Sequence, residues 1–249
     1  MMISYQLYSS RDAGAWEDTL NHLASLGYSY VEGFGGVYED PHGFKALLDA
    51  NQLAMPSGHF FPLASFEEDF DKSIAAAKVL GMERLFCPAP TDEYRNGADL
   101  AAWKDLANRL NEAGKRVQGA GLRFGWHNHH WEFMALEDGT LPMQVLLDLA
   151  PEIEWEMDVA WVVRGGADPL KWIADHKDRI TTAHVKDIAP EDECADEDGW
   201  ADVGHGVMDW PGLMAALEGA GVDLFVMEHD KPNDARRFAQ RSLEAVKRF

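Results

Sequence analysis

From Ile3 onward, short apolar runs alternate with longer stretches whose apolar residues recur every three to four positions. The first kind reads as a buried strand and the second as an amphipathic helix. "ISYQLY" (3–8) precedes a helix over 13–27 closed by Gly27, and "YSYVEGF" (28–34) precedes one around 41–51. "LAMPSGHF" (53–60) leads to a helix over 65–81 opened by a serine cap, with acids in its first turn. "RLFCPA" (84–89) pairs with a helix over 100–121, "LRFGWHNH" (122–129) with one near 142–150, and "IEWEMDVAW" (153–161) with one near 168–176. "ITTAHVKD" (180–187) and a helix near 209–220 follow, then "DLFVMEH" (223–229) and the helix "DARRFAQRSLEAVKRF". Strand, helix, strand in this rhythm implies a parallel sheet, and eight such units imply closure. The expected fold is therefore α/β, a (β/α)8 TIM barrel, as a single domain over 1–249. No shift in composition marks a linker.

Such a barrel gathers its chemistry at the C-terminal ends of the strands. The last three strands end in "EMDVAW", "AHVKD" and "VMEHD", which puts Asp158, His184 and Glu228 at equivalent heights. Burying such groups unpaired costs several kcal/mol each (roughly 2–7 for a polar group). A carboxylate, an imidazole and a second carboxylate converging on one point make a cup suited to a divalent cation. On the fifth strand, "GWHNHHWEF" (125–133), period two places His127 and His129 on one face. Asn128 and His130 then face the helices or the rim, and Trp126 and Trp131 wall the pocket. His59 and Glu32 end the third and second strands as weaker candidates. Lys186 shares the inward face of His184 and could contact a substrate oxygen. "GFGG" (33–36) lacks the third glycine of a dinucleotide loop, since Tyr38 stands there. The loop 189–206 carries seven acids, which predicts a solvated segment, with Gly204 and Gly206 giving it the freedom of a lid.

Charge narrows the partners. Forty-three acidic against 22 basic residues give a net charge of −21, which repels phosphate backbones and anionic lipid. Neither nucleic acid nor membrane is an expected partner. No apolar run reaches the ~18 residues of a membrane span. The opening "MMISYQLYSS" has no basic start or long apolar stretch, and two scattered cysteines build no disulfide framework. A cytoplasmic location is the expectation.

With these residues in view, the chain resembles the sugar phosphate isomerase/epimerase family of the xylose-isomerase-like TIM barrels. The likeness spans essentially the whole length. It is carried by "ISYQLYSSR", "FGWHNHHWEF", "WEMDVAWV", "HVKD", "VGHGVMDWPGL" and "VMEHD". It implies one divalent ion (manganese, magnesium, cobalt or zinc) held by glutamate, aspartate, histidine and glutamate from the last four strands. Asp158, His184 and Glu228 match the last three ligands. The fifth-strand slot holds His127, and Glu132 stands five residues on; Glu132 is the expected ligand, with His127 the alternative. Trp161 stands where many relatives carry a histidine and offers a stacking face for a sugar ring.

The activity this implies is a metal-dependent isomerase or epimerase working on a keto-sugar or polyol through an enediolate. Glu228, His127 and His129 would be the catalytic groups, and His59, Trp161 and Lys186 would contact substrate. Cleavage of 3-keto-glycosides by metal-assisted β-elimination is the runner-up, and a non-catalytic sugar-binding barrel is a third reading. A DNA-repair endonuclease shares the barrel, but a charge of −21 argues against it. A homo-oligomer is compatible with all of these.

Overall fold

A computed structural model describes residues 1–95 and 97–249 and closes the eight expected strands into one parallel barrel. In chain order the strands are β1 (Met2–Gln6), β2 (Tyr30–Gly33), β3 (Ala54–His59), β4 (Arg84–Cys87) and β5 (Arg123–His127). They continue with β6 (Glu154–Asp158), β7 (Ile180–Val185), the short β8 (Asp187–Ile188) and β9 (Trp200–Ala201), and β10 (Leu224–Met227). The barrel runs β1-β10-β7-β6-β5-β4-β3-β2 around its axis, while β8 and β9 form a separate antiparallel pair. Register sets the heights that matter below: His127 lies opposite Glu156, and Asp158 opposite His184. The outer helices bury one stripe each; the helix Leu100–Gly119 packs Trp103, Leu106, Leu110 and Val117 inward.

Aspartates do much of the local work. Asp40, Asp99, Asp158, Asp168, Asp209 and Asp234 each accept a backbone N–H as a helix N-cap. Each such cap stabilises its helix by about 0.5–2 kcal/mol, so part of the acidic excess is structural. Gly27 ends the first helix in the left-handed region, at φ 99°.

Several segments differ from the sequence reading. The barrel strands stop early: β5 ends at His127 and β6 at Asp158, because Asp158 caps a helix that begins at Val159. The stretch 65–81 is two helices, Ala64–Glu67 and Phe70–Leu80, and Ser65 lies inside the first instead of capping it. The loop 189–206 is not simply solvated. It contains β9, and Glu197 and Asp202 are buried against Arg237 at 2.7 and 3.0 Å. Its start is tied down by Asp187, whose carboxylate accepts N–H groups from Ile188, Gly204, Gly206 and Met208. Gly206 is required there, since a Cβ would fall 2.2 Å from the Asp187 carboxylate.

The barrel interior is unusually polar. Near the N-terminal end Arg84 spans the lumen to Thr182 and to Asp223, at 3.1 and 2.7 Å. Above it lie Gln6, Glu32, Ser57 and Glu156, all fully buried. Among the described residues no helix is long and apolar enough to cross a membrane.

Candidate metal centre

A cavity of about 360 Å³ opens at the C-terminal end of the barrel. Its lining includes His59, His127, His129, Glu228 and Asp230, with Tyr8, Phe34, Phe61 and Arg95 among the surrounding side chains. Phe61 is half exposed and offers apolar surface at the mouth.

Asp158, His184 and Glu228 converge as their strand positions require: one ligand-type atom from each lies within 4.8 Å of the other two. All three residues are buried, and Asp158 Oδ2, His184 Nδ1 and Glu228 Oε2 have no hydrogen-bond partner. His184 Nδ1 is 3.4 Å from Glu228 Oε2. Lys186 Nζ approaches the same two carboxylates at 3.0 and 2.5 Å and Asp230 at 2.8 Å, but only the Asp230 contact has hydrogen-bond geometry. The two carboxylate oxygens thus face a resident ammonium at ion-pair distance, and none of the three atoms makes a hydrogen bond.

Behind the cup sits a second layer of titratable groups. His184 turns Nε2 to Glu32 Oε1 at 2.7 Å, and Glu32 also accepts from Gln6 and Ser57 at 2.7 and 2.5 Å. His127 turns Nδ1 to Glu156 Oε2 at 3.1 Å, and the same oxygen meets His59 Nε2 at 2.5 Å. His127 Nε2 points the other way, 4.0 Å from Asp158 Oδ2. His59, His127, Glu156 and His184 form a second group of ligand-type atoms within 4.8 Å of one another.

The electrostatics follow from this layering. Burial opposes ionisation of Glu156, yet His184 and His59 outweigh it and hold the carboxyl well below its usual range. Burial likewise opposes charge on His184, but Glu156 and Glu32 raise its pKa well above the ordinary value. His127 is pushed down to about 4, by burial and then by His184. Burial and the neighbouring His127 keep His129 neutral as well. Glu228 is held well below the usual range by Lys186 and His184 despite its burial.

Residues 20–249 match the family described as xylose isomerase-like TIM barrel. The chain belongs to that family. No curated protein matches it in sequence. Among solved structures, a sugar phosphate isomerase/epimerase from Parabacteroides distasonis superposes with a TM-score of 0.81 at 22% identity, covering 99% of this chain and 93% of that one. The IolI protein with a bound zinc atom gives 0.75 at 14% identity, covering 99% and 96%. An AP endonuclease of family 2 from Brucella melitensis gives 0.72 at 13% identity, covering 95% of each chain. At these identities the likeness establishes the fold alone.

Within this xylose isomerase-like barrel, some expected site residues stand elsewhere than the sequence suggested. Glu132 is not brought to the cup; Trp126 Nε1 donates to its Oε1 at 3.1 Å and the His129 amide to its Oε2 at 3.0 Å. It braces the turn after β5. His129 lies beyond the end of that strand, yet it still lines the cavity. Trp161 sits on the helix after Asp158, packed against His129, His130 and Trp200, and is not among the cavity-lining residues. Lys186 is fully buried among carboxylates, so its partners are Asp158, Glu228 and Asp230 in place of a substrate oxygen. Glu156, absent from the sequence reading, is central. It lies two residues before Asp158 in "WEMD", and period two alone places it on the same inward face.

The position of Glu132 carries a stability prediction. Burial pushes its carboxyl from 4.5 up to about 7 despite the two N–H donors. Between those values the unfolded chain has released the proton and the folded chain has not. Stability therefore falls as pH rises through that window, and the loss levels off above about 7. Glu132→Gln carries no such proton. Its melting temperature should gain on the native protein between pH 4.5 and about 7 and keep a constant lead above. Parallel melting curves for the two proteins across this range would contradict the assignment.

Proposed function

We propose that this chain is a divalent-metal-dependent isomerase or epimerase of a keto-sugar or polyol. The observation that carries the reading is the convergence of Asp158, His184 and Glu228, each with a buried ligand-type atom that makes no hydrogen bond. Two carboxylates and an imidazole can share one partner, a divalent cation such as manganese, magnesium, cobalt or zinc. These residues would hold it, and when bound it supplies Lewis acidity toward a sugar carbonyl. The sugar phosphate isomerase/epimerase and the zinc-containing IolI protein lend the reading its substrate class and its metal.

The remaining chemistry belongs to the chain's own side chains. Glu228 is ionised and borders the cavity, so it can take the proton from the carbon next to the carbonyl. His129 is neutral, lines the same cavity and has an unpartnered Nδ1, so it can accept and return a proton from a different element. Return to the opposite face of the same carbon gives an epimer, and return to the neighbouring carbon gives an isomer. Phe34 and Phe61 supply apolar surface against which a sugar ring can lie. A net charge of −21 disfavours the nucleic-acid chemistry of the AP endonuclease relative. The free thiols Cys87 and Cys194 fit a cytoplasmic setting.

The test is proton exchange. Metal-loaded protein incubated with keto-sugars in deuterated water should place deuterium on the carbon next to the carbonyl, read by NMR. Metal-loaded protein that exchanges no keto-sugar would be a binding barrel without turnover, and the proposal would fall.

A further inference from the structure

We propose that the sugar this cavity takes bears a carboxylate, and that Arg95 is the specificity-determining residue that receives it. The inference rests on the reading above for the sugar and adds its charge. Of the described residues lining the cavity, Arg95 is the only lysine or arginine. It ends the short helix Asp92–Arg95 beyond β4, where its buried neighbour Tyr94 packs on Trp103 with ring centroids 5.7 Å apart. That anchor holds the arginine at the mouth. The guanidinium carbon lies 4.6 Å from the Trp131 ring centroid, and Trp131 stacks on His129 at 4.6 Å. Arg95 and His129 thus share one indole as their wall.

The charge of Arg95 is largely uncompensated. Among the described residues its one hydrogen bond runs from Nη1 to Asp92 Oδ1 at 3.3 Å, and the Asp92 side chain is 84% exposed. An ion pair so open to water contributes little. Nε is buried without a partner, while 28% of the side chain remains accessible. Stacking on an indole occupies one face of a guanidinium and leaves N–H groups in its plane for an acceptor. Glu228 and Asp230 line the same cavity, but Lys186 approaches both, at 2.5 and 2.8 Å. They are answered by a cation of their own. One guanidinium matches the single charge and the paired oxygens of a carboxylate. A phosphate, near two negative charges, calls for more than this one group brings.

Calorimetric titration of metal-loaded protein with matched sets of a hexose, its uronate and its terminal phosphate ester tests this. In at least one set the uronate should bind about 10–100-fold more tightly than the neutral sugar. Arg95→Met should remove most of that preference, Arg95→Lys should keep part of it, and Asp92→Asn should keep it all. Melting curves confirm that each variant is folded. The titrations are repeated with chelator, because a carboxylate also seeks a metal ion. A preference that survives in Arg95→Met and vanishes with chelator would place the carboxylate on the ion and overturn the inference. A phosphate ester bound more tightly than the uronate, a neutral sugar bound as tightly, or no binding in any set would also overturn it. Proton exchange into neutral keto-sugars, with none into their carboxylates, would overturn it and leave the isomerase reading standing. Uronate binding that depends on Arg95, without exchange into any keto-sugar, would support the inference and remove the isomerase reading.

Discussion

Glu228→Gln is expected to yield a folded barrel whose keto-sugar proton exchange is slower by at least about 10³-fold. Three effects act together on this one carboxylate. It borders the cavity and is held ionised, by Lys186 at 2.5 Å and by His184 at 3.4 Å. The amide has no comparable basicity. Glu228 also supplies one of the three ligand-type atoms of the cup, so the ion would bind with one fewer charge-bearing ligand. Finally, the substitution removes one of the carboxylates facing Lys186. The fold should survive, because Glu228 follows the last barrel strand and Lys186 keeps Asp158 and Asp230. Circular dichroism, metal content and exchange rate measured together decide it. Exchange within tenfold of the native rate, with full metal content, would remove Glu228 from the chemistry.

The barrel was legible because its signal is repetitive: each of eight apolar runs is followed by an amphipathic stretch, and one misread boundary leaves the count intact. The cup was legible for a related reason. Asp158 and His184 lie opposite each other in the register and Glu228 follows the end of β10, two residues past the partner of His184, so all three reach one rim. What escaped the sequence were features that depend on where a strand stops. Asp158 both ends β6 and caps the next helix, so Trp161 turns away from the cavity, although its apolar neighbours made 153–161 read as one strand. Glu132 belongs to a short turn whose direction no periodicity specifies, and its carboxylate folds back on Trp126. Of the rear carboxylates Glu32 reads only as a weak candidate and Glu156 is missed, since a carboxylate in a strand signals little until its imidazole partners are in place. Lys186 reads on the inward face as a substrate contact, and only the arrival of Asp158, Glu228 and Asp230 from other segments explains its full burial.

Lys186→Met tests that burial and should have the largest effect on stability. The ammonium is fully buried, and its pKa is raised because Asp158, Asp230 and Glu228 outweigh the cost of desolvation. A raised lysine contributes its full stabilisation at every pH below its ordinary value, so the comparison holds at neutral pH. Removing it leaves three carboxylates facing one another with only His184, 3.4 Å from Glu228, as a nearby positive group. Breaking a buried ion pair from one side costs about 3–5 kcal/mol. In a barrel of this size that lowers the melting temperature by about 2–4 °C per kcal/mol. Methionine keeps much of the volume and still packs beside Trp161 and Trp200, which lie 5.0 and 4.8 Å from the ammonium in the native chain. The loss should be conditional. A divalent ion bound through Asp158 Oδ2 and Glu228 Oε2 brings positive charge to the same oxygens that Lys186 approaches. Saturating metal should therefore raise the melting temperature of Lys186→Met more than that of the native protein and recover more than half of the deficit. Melting curves of both proteins with chelator and with metal provide the four numbers needed. Equal metal-induced shifts in the two would mean that the ion and the ammonium act on different carboxylates, and the cup would have to be sought elsewhere in the barrel.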